Sequence, residues 1–130
     1  KYDTILIDAF KGMNAPFELT TYEALTNAKN MLNENGIVIT NIISSLDGKD
    51  SKFIEYEYAT YKAVFDDVKI FKVTNTEKSD IQNLILVGLK GTTITDEAKY
   101  EEYSQYLNMQ VLDFKTNKGL VTDDFAPIGN

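Results

Sequence analysis

The sequence predicts an α/β fold, half of a doubly wound sheet whose parallel strands end in an antiparallel hairpin, with flanking helices. Short apolar runs alternate twice with helical patterns along the chain, which is typical of parallel strands joined by crossover helices. Only a short polar segment separates the last two apolar runs, which favours an antiparallel pair. The length of 130 residues suits one domain.

The first apolar run delivers a carboxylate at its end. Ile5, Leu6 and Ile7 are consecutive within the stretch 2–10, and such a run is typical of a strand covered on both faces. Asp8 follows where open α/β sheets bind their ligands. An Asp at this position can also cap the following loop, so both interpretations stay open.

The next two elements are a helix and a second buried strand. Thr20 and Glu23 have the spacing of a capping box, which predicts a helix reaching about Leu32. Gly36 is expected to stop it in a left-handed conformation. Residues 37–43 are β-branched and almost wholly apolar, as in a buried strand.

The second half of the sheet follows a polar loop. Asp50 or Ser51 is expected to cap a second helix. Residues 68–73 and 84–89 are predicted to be the hairpin strands. A third helix is predicted from Thr95 to about Leu107, followed by a short extended segment at 111–114. The apolar stripe predicted for the second helix consists of Ile54, Tyr58, Tyr61 and Phe65.

The composition excludes several functions. The chain has 13 basic and 20 acidic residues, a net charge of −7, which disfavours nucleic acid and anionic membranes as partners. A cationic ligand such as a polyamine is compatible with this charge, although acidity also simply favours solubility. Without Cys or His, acid–base chemistry has to use Asp, Glu, Tyr or Lys, and no metal site is expected.

Three passages resemble the spermidine synthase-like (polyamine aminopropyltransferase-related) family. They are Tyr-Asp-x-Ile-x-x-Asp-Ala-Phe at 2–10, the helix-to-strand passage 19–39, and Leu-Val-Thr-Asp-Asp-Phe-Ala-Pro at 120–127. The resemblance implies a partial Rossmann-like methyltransferase sheet, in which the last strand inserts beside its neighbour. It also implies that residues 1–130 are the C-terminal part of one domain, without its N-terminal cofactor-binding half.

The resemblance also implies a site. Family members bind S-adenosylmethionine or decarboxylated S-adenosylmethionine through an N-terminal glycine-rich loop, so no cofactor is expected on this fragment alone. Asp8 matches a family carboxylate and is the candidate catalytic residue. Lys11 stands where aminopropyltransferases have a second catalytic Asp. Other candidates are Ala9 and Phe10 for the cofactor, and Asp8, Asn41 and Ser44 for an amine substrate; turn chemistry is the simpler interpretation of Asn41 and Ser44.

Three interpretations of the function follow. The chain is part of a transferase and supplies its substrate-side wall, or it is a non-catalytic binding or assembly module, or it comes from a class I methyltransferase with a non-polyamine substrate. We expect a cytoplasmic protein without membrane contact from this segment. We also expect a homo-oligomer that pairs along the exposed edge of the first strand, unless the tail from Lys115 covers that edge.

Overall fold

A computed structural model describes residues 1–7, 19–91, 106, 108–116 and 118–124. The described chain forms a four-stranded sheet with two α-helices. A short 3₁₀ turn at Gly48–Asp50 precedes the second helix. The main elements are β1 (Tyr2–Ile7), α1 (Tyr22–Asn30), β2 (Leu32–Ser44), α2 (Lys52–Val64), β3 (Asp67–Lys72) and β4 (Gln82–Leu89).

The strand order is β1-β2-β4-β3. β1 runs parallel to β2, and β4 lies antiparallel between β2 and β3. The mixed α/β fold with parallel strands followed by an antiparallel hairpin is therefore confirmed. β4 enters between its two neighbours, as the resemblance implied.

Both described helices pack on one face of the sheet, where the core lies. Alternate side chains of β2, including Val38 and Ile42, are buried there with Leu84 and Leu86 of β4. The two helices also contact each other, since Lys29 donates a hydrogen bond of 2.9 Å to the backbone oxygen of Val64. The period-two burial of β2 follows from strand geometry, which sends successive side chains to opposite faces.

The ends of α1 differ from the prediction by one or two residues. The N-cap is Thr21, whose hydroxyl accepts a hydrogen bond of 3.1 Å from the Ala24 amide, and the predicted Thr20 cap is wrong. The helix ends at Asn30, because Leu32 already belongs to β2.

The left-handed residue after α1 is Asn35 at φ 66°, and the predicted left-handed Gly36 is wrong. Asparagine tolerates this conformation better than most residues because its short polar side chain hydrogen-bonds locally. Gly36 has a different reason to lack a side chain. An added Cβ would lie 2.9 Å from the backbone oxygen of Asn33 and 3.1 Å from that of Asp3.

The second helix follows its predicted stripe with one addition. Ile54, Tyr61 and Phe65 are buried and Tyr58 is half-buried. The buried face also contains Glu57 and Thr60, which the stripe left out. Ser51 is the N-cap residue, although its side chain makes no capping hydrogen bond to the helix.

The two edges of the described sheet differ in their contacts. The outer edge of β3 carries residues 109–111, since the Val111 amide donates to Ile70 and the Lys72 amide donates to Met109. β1 is the other end of the described sheet, and Leu6 is 67% exposed. The expectation that this strand is covered on both faces is not met in the described residues. The predicted helix from Thr95 to Leu107 lies almost wholly outside them.

Candidate functional site

The carboxyl edge of β1 and β2 is where the sequence predicted a site. Ile7, the last described residue of β1, is the register partner of Thr40 on β2. Asn41 follows Thr40 directly on β2. It therefore comes one residue after the last register pair that the structure describes between β1 and β2. Four residues named from the sequence, Asp8, Ala9, Phe10 and Lys11, lie outside the described part of the chain.

The two described candidates, Asn41 and Ser44, lie on opposite faces of the sheet. Asn41 is half-buried and pairs with Ile85 of β4, whereas Ser44 is buried at the last position of β2. They are three positions apart, and side chains alternate along a strand, so the structure does not bring them together on one surface. Their roles toward a substrate stay predictions.

The hydroxyl of Ser44 belongs to a hydrogen-bonded turn. It donates to the backbone oxygens of Ser45 at 3.0 Å and Asp50 at 3.2 Å. The Ser45 hydroxyl donates to the Asp47 oxygen at 2.8 Å, and the Ser51 hydroxyl donates to the Gly48 oxygen at 2.8 Å. We call Ser44, Ser45 and Ser51 the serine turn. Its contacts are those of the turn chemistry that the sequence already favoured.

A second polar group lies between α2 and the sheet, and the sequence did not predict it. It consists of Glu57, Tyr61 and Thr40, all fully buried, and we call it the buried polar cluster. The Tyr61 and Thr40 hydroxyls form a short hydrogen bond. Neither carboxylate oxygen of Glu57 has a hydrogen-bond partner among the described residues.

The environment of Glu57 determines its protonation. Burial removes water from the carboxyl group and raises its pKa well above the usual value. The pKa of Tyr61 is also raised, first by burial and then by the proximity of Glu57. Both groups are therefore favoured in their neutral forms. A sequence signal existed, because Glu57 lies three residues after Ile54 and four before Tyr61, within the apolar stripe.

The closing segment docks beside this cluster. The Val121 amide donates to the Thr60 hydroxyl at 2.9 Å, and the Val121 oxygen accepts from the Tyr22 amide at 2.7 Å. The Asp123 amide donates to the Glu23 carboxylate at 2.9 Å. These contacts place the described part of the tail on α1 and α2. They give no support to the alternative in which the tail covers β1.

A surface pocket of about 220 Å³ lies beside the serine turn. It is lined by Leu46 and Asp47 after β2 and by Lys78, Asp113 and Lys115. Lys78 and Asp113 form an exposed ion pair at 2.8 Å, which lowers the pKa of Asp113 and raises that of Lys78. Water screens such an exposed pair, so it contributes little to stability.

Within the described ranges, no group of three or more Asp, Glu, His or Cys is arranged to hold a metal ion. No helix in the same ranges combines the length and apolar character needed to cross a membrane.

Known proteins resemble this chain over nearly its whole length, although no family model matches it. The polyamine aminopropyltransferase of Vibrio vulnificus (strain CMCP6) is 28% identical over 140 aligned positions, which cover 98% of this chain and 45% of that protein. The probable polyamine aminopropyl transferase of Bifidobacterium longum (strain NCC 2705) is 26% identical, with 85% of this chain and 24% of that protein covered.

A solved structure supports the same comparison at the level of the fold. The crystal structure of a probable spermidine synthase from Corynebacterium glutamicum ATCC 13032 matches with a TM-score of 0.60 at 22% identity. The match covers 75% of this chain and 34% of that one. This chain thus spans less than half the length of each relative. The similarity in sequence and fold confirms that the chain resembles one part of the spermidine synthase-like polyamine aminopropyltransferases.

Proposed function

We propose that this chain is a portion of a spermidine synthase-like transferase and supplies the substrate-side wall of its site. The similarity to polyamine aminopropyltransferases over 98% of the chain is the observation that carries this proposal. The register of β1 and β2 is compatible with it, because Ile7 and Thr40 are register partners and the candidates Asp8 and Asn41 each follow directly in the sequence. A cytoplasmic location is part of the same proposal.

The donor is proposed to be S-adenosylmethionine or its decarboxylated form, held mainly by other parts of the full-length protein. This sequence contains no Gly-x-Gly-x-Gly loop to cradle a donor. Ala9 and Phe10 stay candidates for contact with the donor. On the acceptor side, Asn41 and Ser44 stay candidates for contact with the amine.

Asp8 is the proposed general base. An amine attacks a carbon next to a sulfonium sulfur only as the free base, because an ammonium nitrogen has no lone pair. A carboxylate at the strand end takes up the proton that the nitrogen loses, and such proton transfer contributes typically about 10²–10⁴-fold to the rate. Charge also favours the amine, since an Asp attracts an ammonium group before transfer.

One observation favours a different acceptor. Lys11 carries a positive charge close in sequence to Asp8, and a lysine repels a polyammonium substrate. The second candidate function is therefore a class I methyltransferase with a non-polyamine acceptor. A non-catalytic module with the same fold is the third.

The experiment is a calorimetric titration of the full-length protein with S-adenosylmethionine and with its decarboxylated form. We expect one of the two donors to bind, and a protein that binds neither would contradict the transferase proposal. A turnover assay with putrescine then separates aminopropyl transfer from methyl transfer.

The role of Asp8 has its own control. Asp8→Asn should lower turnover by roughly 100-fold or more, because the base is lost. Asp3→Asn removes a carboxylate from β1, where Asp3 accepts a hydrogen bond of 2.9 Å from Asn33. Equal activity of the two variants would rule out a special role for Asp8.

The outer edge of β1 in the described sheet is proposed to pair with a second copy of the chain. Tyr2 is 59% and Leu6 is 67% exposed at this end of the described sheet, and exposed apolar edges favour association. Light scattering on the 130-residue chain should give a dimer, and Leu6→Lys should give a monomer. Leu112→Lys, at an 84% exposed position elsewhere, is the control. A monomeric unaltered chain would refute the pairing.

A further inference from the structure

β2 contains an irregular stretch near its start, at residues 33–36. The register of β1 and β2 passes from the pair Tyr2–Leu32 directly to the pair Thr4–Ile37, so β2 has extra residues between the two pairs. The first three residues of the stretch are exposed. The stretch lies at the amino end of both strands, and the transferase site is proposed at their other end.

Two backbone constraints meet in this stretch. Asn35 has a φ of 66°, a left-handed conformation that asparagine tolerates better than most residues other than glycine. Gly36 has no room for a side chain, because an added Cβ would lie 2.9 Å from the backbone oxygen of Asn33. The fold therefore favours asparagine at position 35 and glycine at position 36, and the two constraints together place an Asn-Gly pair on the surface.

An Asn-Gly pair has a characteristic reactivity. The backbone nitrogen of the second residue can attack the side-chain carbonyl carbon of the asparagine. Glycine hinders this attack least, because it has no Cβ and its backbone is the most flexible. Asn35-Gly36 is the one Asn-Gly pair in the sequence, and Asn35 is exposed to water.

We propose that Asn35 is a site of spontaneous deamidation. The Gly36 nitrogen forms a bond to Cγ of Asn35, and the side-chain nitrogen leaves as ammonia with the proton that the Gly36 nitrogen loses. Water then adds to the resulting succinimide ring and opens it at one of its two carbonyl groups. Opening at one carbonyl gives aspartate. Opening at the other gives isoaspartate, in which the main chain runs through the former side chain.

The reaction requires the Asn35 side chain to leave its present neighbour. Its Oδ1 lies beside Gly91, where an added Cβ would be 2.5 Å away. The Asn35 amide donates to the Lys90 oxygen at 2.6 Å, and the Lys90 amide donates to the Gly36 oxygen at 2.9 Å. These bonds lie just beyond Leu89, the last residue of β4. The ends of a sheet open locally at low free energy, and such opening frees the side chain to meet the Gly36 nitrogen.

The products are expected to weaken this end of the sheet. Isoaspartate lengthens the main chain by one carbon between the two hydrogen bonds to Lys90, so the two bonds cannot both keep their present geometry. Either product also adds a negative charge beside Gly91, whose amide donates to the Asp66 carboxylate at 2.9 Å. Two like charges repel each other. Deamidation should therefore loosen the pairing of β2 and β4 from this end.

The test is peptide mapping by mass spectrometry on the full-length protein, incubated folded in a mildly alkaline buffer. Digestion at acidic pH and a sample taken at time zero correct for reaction during handling. Asn75 is the internal control, because it is exposed between β3 and β4 and is followed by the β-branched Thr76. We expect Asn35 to lose its amide several-fold faster than Asn75. An intact Asn35, or equal rates at the two positions, would overturn the proposal.

The effect on the sheet is tested with Asn35→Gly. Glycine adopts the left-handed conformation readily and has no amide to lose, so the variant keeps the turn but cannot deamidate at this position. After the same incubation, the unaltered protein should unfold at a lower urea concentration than before, whereas Asn35→Gly should keep its midpoint. If Asn35 has reacted and the two midpoints still change by the same amount, deamidation does not weaken the sheet.

Discussion

The serine turn and the buried polar cluster are both polar groups along α2 and β2, yet they differ in hydrogen bonding. Each hydroxyl of the serine turn donates to a backbone oxygen within 3.2 Å. Glu57, six residues after Ser51 along α2, has no partner for either oxygen among the described residues. The fold itself therefore accounts for Ser44 but leaves Glu57 unexplained.

This contrast separates structural polarity from candidate function. Buried polar groups are normally hydrogen-bonded, so the satisfied serine hydroxyls need no further role. An unpaired buried acid destabilises the protein. Residues whose pKa is strongly perturbed by burial are found at functional sites more often than elsewhere in a protein. The contrast identifies Glu57, rather than the sequence candidate Ser44, as the buried polar residue that the described fold leaves without a hydrogen bond.

The largest expected effect is a pH-dependent stability caused by Glu57. The folded state holds the Glu57 proton above pH 4.5, the usual pKa, while the unfolded chain has lost it. Stability should therefore be highest below that pH and should fall as the pH rises towards the raised pKa of the folded state. The loss approaches about 1.4 kcal/mol per pH unit within that window.

The measurement is urea unfolding of the unaltered chain and of Glu57→Gln from pH 4 to pH 8. Other carboxyl groups, such as Asp113 with its lowered pKa, cancel in the difference between the two curves. Glu57→Gln should gain stability relative to the unaltered chain as the pH rises. A difference that stays constant across this range would show that Glu57 titrates normally.

The parts of the fold that depend on apolar runs were predictable from the sequence. The strands at 37–43, 68–73 and 84–89 appear within two residues of their predicted positions, except that β2 begins earlier at Leu32. Runs of β-branched and apolar residues indicate buried strands directly, and the short polar connection between β3 and β4 predicts the hairpin. The insertion of β4 beside β2 depends on pairing between residues that are far apart in the sequence, and only the family resemblance implied it.

Local exceptions were harder to predict, because tertiary contacts decide them. Gly36 was expected to be left-handed, but Asn35 is the residue that adopts this conformation. The absence of a side chain at Gly36 is explained by the close approach of the backbone oxygens of Asp3 and Asn33. Glu57 was missed because a charged residue inside an apolar stripe is ordinarily assigned to the solvent side. The central candidate, Asp8, lies outside the described residues and stays a prediction.

The smallest expected effect concerns the serine turn. Ser44→Ala removes a buried hydroxyl that donates to Ser45 and Asp50, and the lost hydrogen bonds should lower the free energy of unfolding by about 1–2 kcal/mol. Ser79→Ala, at an exposed turn position, is the matched control and should have almost no effect. Urea unfolding measures both variants, and calorimetry measures their amine affinity in the full-length protein. A structural Ser44 changes stability and leaves amine affinity unchanged, since its hydroxyl is already used by the turn. If Ser44→Ala instead weakened amine binding at constant stability, Ser44 would be a ligand residue, and the contrast with Glu57 would no longer distinguish structure from function.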